Sequence, residues 1–170
     1  RDSSNPFNGI DVGYNSAPSF VDIDSDGDLD LVVGDYNGTL STYRNNSGAF
    51  VELSGVDNPF NSINLAYYSK PTFVDIEGDG DFDLVVGDYY GNLETYRNDS
   101  NAFTKLIGAE NPFTSIDVGW DGAPSFVNID GDGDLDLVVG DYNGTLKSYR
   151  NESGTFVQLS GVNNPFNLID

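Results

Sequence analysis

The sequence predicts an all-β chain made of three copies of one four-stranded unit. Three observations carry this: an internal repeat of 53 residues, a period-two apolar pattern within each copy, and turn residues at fixed offsets between the apolar runs. The tripeptide Asn-Pro-Phe begins at Asn5, Asn58, Asn111 and Asn164, each 53 residues after the last, with no insertion or deletion. The same offset superposes Phe20, Phe73 and Phe126, then Gly34, Gly87 and Gly140, then Phe50, Phe103 and Phe156. Residues 1–170 therefore read as a single repeat array with a short overhang.

Within the first unit, residues 18–23 and 29–34 read as the first and second strands. Residues 39–44 and 49–53 give the third and fourth. Asn37-Gly38, with Tyr90-Gly91 and Asn143-Gly144 after it, suits a tight hairpin that needs positive φ, and residues 46–48 suit another. No window shows helical periodicity beyond a turn. Four short antiparallel strands in about 50 residues is the size of one β-propeller blade.

Propellers usually have about four to eight blades, so three alone close a ring poorly and leave apolar blade faces bare at both ends. The expected resolution is a homodimer whose two chains make one six-bladed ring. The alternative is that the chain is a piece of a longer array. Asn-Pro-Phe copies at both ends fit the dimer, because one chain's tail can overlap the next chain's head.

Composition removes several classes of function. The chain carries 28 acidic residues against 7 basic ones, no His, and a formal charge of −21. Such a surface is repelled by phosphate backbones and anionic membranes, which argues against nucleic acid and membrane partners. No stretch of about 18 apolar residues occurs, so no membrane-inserting segment is expected. The first ten residues lack the charged-then-apolar pattern of a signal peptide, as a mature or excised segment also would. Aromatic content of 13% and regularly spaced Val, Ile and Leu argue for a folded domain rather than an acidic disordered one. With no Cys and no His there is no disulfide framework, no Cys/His zinc site and no Cys- or His-based catalysis.

The loop between the first two strands of each unit carries the densest chemistry. At 22–30 it holds Asp22, Asp24, Asp26, Gly27, Asp28 and Asp30; at 75–83, Asp75, Glu77, Asp79, Gly80, Asp81 and Asp83; at 128–136, Asn128, Asp130, Asp132, Gly133, Asp134 and Asp136. Calcium takes six to eight oxygen ligands, and alternating acidic residues at positions 1, 3 and 5 converge on one ion if the loop curls. Gly at position 6 permits the curl. Position 7 is expected to offer its backbone carbonyl, and the carboxylate at position 9 completes the shell. Asp-Gly runs are also plain turn formers, but a turn needs one Asp, and five carboxylates in nine residues repel one another without a cation. Magnesium is disfavoured because it dehydrates reluctantly. These are not EF-hands, since strands flank the loops and Val33, Val86 and Val139 stand where a bidentate Glu would be. Glu77 is one methylene longer than Asp, and Asn128 is neutral, so the third site should bind more weakly than the first. Three calcium (Ca2+) ions per chain would bring the formal charge from −21 to −15.

Residues 20–34 closely resemble the calcium-hairpin motif of the FG-GAP/VCBS repeat family, the blades of integrin α-subunit heads and of many secreted microbial proteins. Gly122-Ala123-Pro124 is similar to its GAP element, while Ser16-Ala17-Pro18 and Ser69-Lys70-Pro71 are looser copies. The resemblance covers essentially the whole chain. It implies a propeller, calcium held in the hairpin loops for a mainly structural purpose, and extracellular adhesion or recognition, without fixing a ligand. The uniform spacing points to a recently amplified array or a designed consensus, for which a protein with no ligand at all is a further reading.

Tyr14, Tyr67 and Trp120 share one position before the first strand. They read either as packing between blades or as a ligand-binding platform for sugar rings, which would make the chain a calcium-dependent lectin. Tyr68 and Tyr90 break the repeat. Arg44, Arg97 and Arg150 recur on the third strand and are expected to pair with Asp35, Asp88 and Asp141. Five Asn-x-Ser/Thr sequons begin at Asn37, Asn45, Asn98, Asn143 and Asn151. The leading expectation is a secreted calcium-binding scaffold or recognition module with a protein or glycan ligand. It is not an enzyme, because its carboxylates recur identically and are accounted for by metal, whereas catalysis needs an asymmetric constellation.

Overall fold

Twelve strands in three separate sheets make up the computed structural model, which describes residues 5–167; the outermost residues of the 1–170 array lie outside the described residues. Blade 1 contains β1 (Ala17–Val21), β2 (Asp30–Gly34), β3 (Leu40–Asn46) and β4 (Ala49–Leu53). Blade 2 contains β5 (Lys70–Val74), β6 (Asp83–Gly87), β7 (Leu93–Asp99) and β8 (Ala102–Lys105). Blade 3 contains β9 (Ala123–Val127), β10 (Asp136–Gly140), β11 (Leu146–Glu152) and β12 (Thr155–Gln158). Each sheet is an antiparallel meander in chain order. The expected strands are all present, with bounds shifted by at most two residues at the edges of the hairpins. A single 3-10 turn, Gly55–Asp57 and its two repeats, follows each blade.

The second strand of each blade is the core. β2 and β6 are buried at every residue, because the continuous run Leu-Val-Val is covered on both faces. One face meets the next blade: Val21, Val32 and Leu40 of blade 1 pack on Phe60, Ile63, Leu84 and Val86 of blade 2. The same set recurs one blade later, with Val74, Val85 and Leu93 against Phe113, Ile116, Leu137 and Val139. Each fully buried Phe or Leu here contributes about 1.5–3 kcal/mol. Phe60 anchors its blade, with ring centroids 5.9 Å from Phe73 and 4.7 Å from Phe103.

The Asn-Pro-Phe segment joins neighbouring blades. Asn58 Oδ1 accepts hydrogen bonds from Thr42 Oγ1 and Phe60 N, both at 2.9 Å, while its Nδ2 donates to the Leu40 carbonyl at 3.2 Å. Asn111 repeats this on Thr95, Phe113 and Leu93. Backbone bonds complete the seam between blades 1 and 2: Tyr68 N donates to Tyr36 O and Ser69 N to Asp35 O. Asp121 and Gly122 donate likewise to Tyr89 and Asp88. The approach is close enough that a Cβ on Gly34 would collide with the Ser69 carbonyl, and one on Gly87 with the Gly122 carbonyl.

Candidate metal centre

The loop between β1 and β2 curls because two of its residues adopt left-handed backbone. Gly27 has φ +93°, and Ser25 has φ +60° where the other copies carry Gly78 and Gly131. The Asp22 carboxylate then accepts from Asp26 N at 3.2 Å and Gly27 N at 3.0 Å, closing the loop over itself. Asp75 does the same with Gly78, Asp79 and Gly80, whereas Asn128 accepts from Gly131 alone.

In the first loop, Asp22, Asp24 and Asp30 each present a carboxylate oxygen within 4.8 Å of the others. The Oδ1 of Asp24 is buried and has no hydrogen-bond partner. Arg44 meets the other oxygen of this carboxylate at 2.9 Å, and the unpartnered one, withdrawn from water, favours a further cation. The all-oxygen donor set suits a hard divalent ion. These residues fit the expected metal. Among the described residues, the second and third loops do not draw three carboxylates so close. The longer Glu77 and the neutral Asn128 give the physical reason.

Position 9 has a second task. Asp30, Asp83 and Asp136 are buried, and each bridges two backbone N–H groups. Asp30 accepts from Ile23 N at 3.0 Å and Asn45 N at 2.7 Å; Asp83 and Asp136 repeat this with Ile76 and Asn98, and with Ile129 and Asn151. The carboxylate therefore pins the loop to the third strand. Burial raises the pKa of Asp30 first, the two backbone donors lower it, and the charges of Asp24 and Asp26 raise it further. Position 7 turns aside: Asp28 and Asp81 accept from the N–H groups of Ser47 and Ser100 in the β3–β4 and β7–β8 turns. Position 5 caps locally, with Asp26, Asp79 and Asp132 accepting from the N–H two residues on.

Glu77 shows what crowding does. Burial, a hydrogen bond with Asp83 and the Asp83 charge together push it up to about 7, against its own backbone N–H and Arg97.

The arginines do not pair with Asp35, Asp88 and Asp141. Arg44 Nε lies 2.9 Å from Asp24, Arg97 is 4.0 Å from Glu77 and 3.0 Å from Asp99, and Arg150 pairs with Glu152. Strand register is the reason. Leu31 stands opposite Tyr43 and Gly34 opposite Leu40, so Arg44 lies at the loop end of the hairpin and Asp35 at the other. Asp35 instead caps its own turn through Thr39 N.

The opposite rim of the sheets carries the aromatic residues. Tyr67 leans on Tyr36 of the preceding blade at 5.6 Å, and Trp120 on Tyr89 at 5.6 Å. Tyr68 bridges them, 5.0 Å from Tyr36 and 5.4 Å from Tyr89. Tyr67 and Trp120 pack between blades and remain exposed at 51% and 61%, whereas Tyr14, ahead of blade 1, is 82% exposed. Tyr36, Tyr68 and Tyr89 were not among the expected platform residues, because only the fold brings the turn after β2 beside the segment before β5. Of the sequon asparagines, Asn45, Asn98 and Asn151 spend their amide N–H on the carbonyls of Leu29, Phe82 and Leu135. Asn37 and Asn143 are exposed.

Fold and loops together define an array of propeller-type blades, each closed by an acidic hairpin loop. The FG-GAP-like repeat profile matches residues 22–86 and again 75–139, and the chain belongs to that family. No curated protein sequence matches it. Among solved structures, the chain is similar to an Agrocybe aegerita lectin described by its specific recognition of non-reducing terminal N-acetylglucosamine. The two share 22% identity and a TM-score of 0.49. The likeness covers 86% of this chain, which spans 38% of that lectin's length.

Proposed function

We propose that this chain is a calcium-stabilised, non-enzymatic recognition module of the extracellular space, working as a closed ring reached by self-association. The observation that carries the metal is the convergence of Asp22, Asp24 and Asp30 around the bare, buried Oδ1 of Asp24. Asp75, Glu77, Asp79 and Asp83 form the second site, and Asn128, Asp130, Asp132 and Asp136 the third, with the carbonyls of Asp28, Asp81 and Asp134 contributing. Bound calcium supplies charge neutralisation. The chain supplies loops already closed by their own backbone hydrogen bonds. Extracellular modules bind calcium with dissociation constants of about 10⁻⁴–10⁻³ M, so the ion is available to them outside cells and scarce in the cytosol. Thermal melts in chelator and in 10 mM calcium (roughly 10–100 times such a constant) test the reading. A ligand bound only to the folded state adds about 1.4–2.7 kcal/mol per site at that excess. Superimposable melts would remove the metal from the proposal.

The exposed aromatic rim favours a second reading, recognition of glycans by ring stacking. Binding on a glycan array that is lost in Tyr67→Ala and Trp120→Ala, with the calcium-dependent melt retained, is its expected signature. An array blank for the parent chain counts against it.

A further inference from the structure

Among the described residues, blade 1 has a face that no other blade covers. Phe7, Ile10, Val12, Phe20, Leu31 and Val33 line an open groove of about 350 Å³ there. Their repeats in blade 2 (Phe60, Ile63, Leu65, Phe73, Leu84 and Val86) form the surface on which Val21, Val32 and Leu40 of blade 1 are buried. The far side of blade 3 presents the matching half. Val127 is 45% exposed, while its repeats Val21 and Val74 are at 6% and 4%. We propose that the groove of blade 1 is the docking site for blade 3 of a second copy of this chain, and that two Asn-Pro-Phe segments compete to close each seam. The proposal rests on the ring form of the module given above.

Three further features agree. Gly140 repeats Gly34 and Gly87, where a neighbouring blade's carbonyl leaves no room for a Cβ, yet in the single chain a Cβ at Gly140 meets only Leu146 Cδ2, at 3.6 Å. Ser16 of a second copy, seated there as Ser69 is on Gly34, would give this glycine the close carbonyl that its two repeats already meet. Asn15 already holds φ +57°, matching the +62° of Tyr68 and Asp121, the residues whose N–H groups donate across the two internal seams. Asn15 and Ser16 of the second copy would donate to the carbonyls of Tyr142 and Asp141 by the same pattern.

The seam holds one Asn-Pro-Phe too many. Asn164 already occupies its internal-seam position on blade 3, where its Oδ1 accepts from Ser148 Oγ at 2.8 Å. Phe7 already occupies the Phe60 position in blade 1, 4.9 Å from Phe50. On docking, the Phe166 that follows Asn164 and the Phe7 of the other copy reach for the same place beside Phe20 and Phe50. One of them is redundant.

Light scattering in millimolar calcium tests this on the full chain and on G140A, V127D, F7A, F166A and the double variant F7A/F166A. The parent chain should have twice the 18.4 kDa chain mass. G140A and V127D should have the single mass with unchanged strand content by circular dichroism. F7A and F166A should each keep the double mass, and the double variant should lose it. A single or a higher mass for the parent, or a double mass for both G140A and V127D, overturns the docking. Loss of the double mass in either single Phe variant overturns the competition. A single-mass parent that still melts higher in calcium removes the self-associated ring together with this docking and leaves the calcium-stabilised module standing.

Discussion

Ser25 holds left-handed backbone that the other two loops assign to glycine. That conformation costs a non-glycine residue roughly 1–2 kcal/mol, partly offset by the roughly 0.5–1 kcal/mol that glycine loses in ordering. Ser25→Gly should therefore raise the unfolding free energy by up to about 1 kcal/mol, read by urea titration. Asp24 and Asp30 differ although both are carboxylates of one loop. Asp24→Asn relieves repulsion and gives up only a half-exposed pair with Arg44, so the chelated protein should melt no lower while its gain from calcium shrinks. Asp30→Asn breaks a charged acceptor shared by two backbone donors and should cost about 2–3 kcal/mol even in chelator. Glu77 contributes to the pH dependence. Its folded pKa, up from 4.5 to about 7, means the metal-free fold holds a proton that the unfolded chain has released. That contribution is complete below about pH 4.5 and is lost as pH rises to about 7, so the chelated protein should weaken across this window. Calcium must displace the same proton, so its gain at the second loop should grow over the same range, as paired melts at pH 5 and pH 7.5 would show.

At the scale of strands and loops, the local features were legible in the sequence and the contacts between blades were not. Residues 29–34 announce a strand, and Gly38 announces positive φ, because both depend on residues a few positions away. The reason for Gly34 is a carbonyl 35 residues on, at Ser69. Asn58 marks only the repeat in the sequence, and its bonds to Thr42 and Leu40 come from the fold. The sequence pairs Arg44 with Asp35, and the antiparallel register carries it to Asp24 instead. In the loops, the residue types were readable but their division of labour was not. The alternation does not show that position 9 pins a third strand or that position 7 clamps a turn. Asn58→Ala should accordingly act as a seam mutation. It leaves the Thr42 hydroxyl and the Leu40 carbonyl without their partner, for a loss of about 1–3 kcal/mol by chemical denaturation.

For the molecule as a whole, charge and self-association pull against each other. Two chains at −21 repel, and three divalent ions apiece would lower each to −15. Raising salt from about 0.02 M to 0.15 M shortens the screening length to about 8 Å, so the double mass should persist to lower protein concentration at the higher salt. Dilution series by light scattering would show the reverse if polar contacts rather than apolar ones held the seam. The acidic loops and the aromatic rim occupy opposite ends of the same strands, separated by the length of β2, about 17 Å for its five residues at roughly 3.3–3.4 Å each. The molecule is thus a two-sided plate. Held by its acidic edge, on a cationic or mineral surface, it would offer the rings of that rim outward, and held by those rings it would leave the acidic loops open to the surrounding ions.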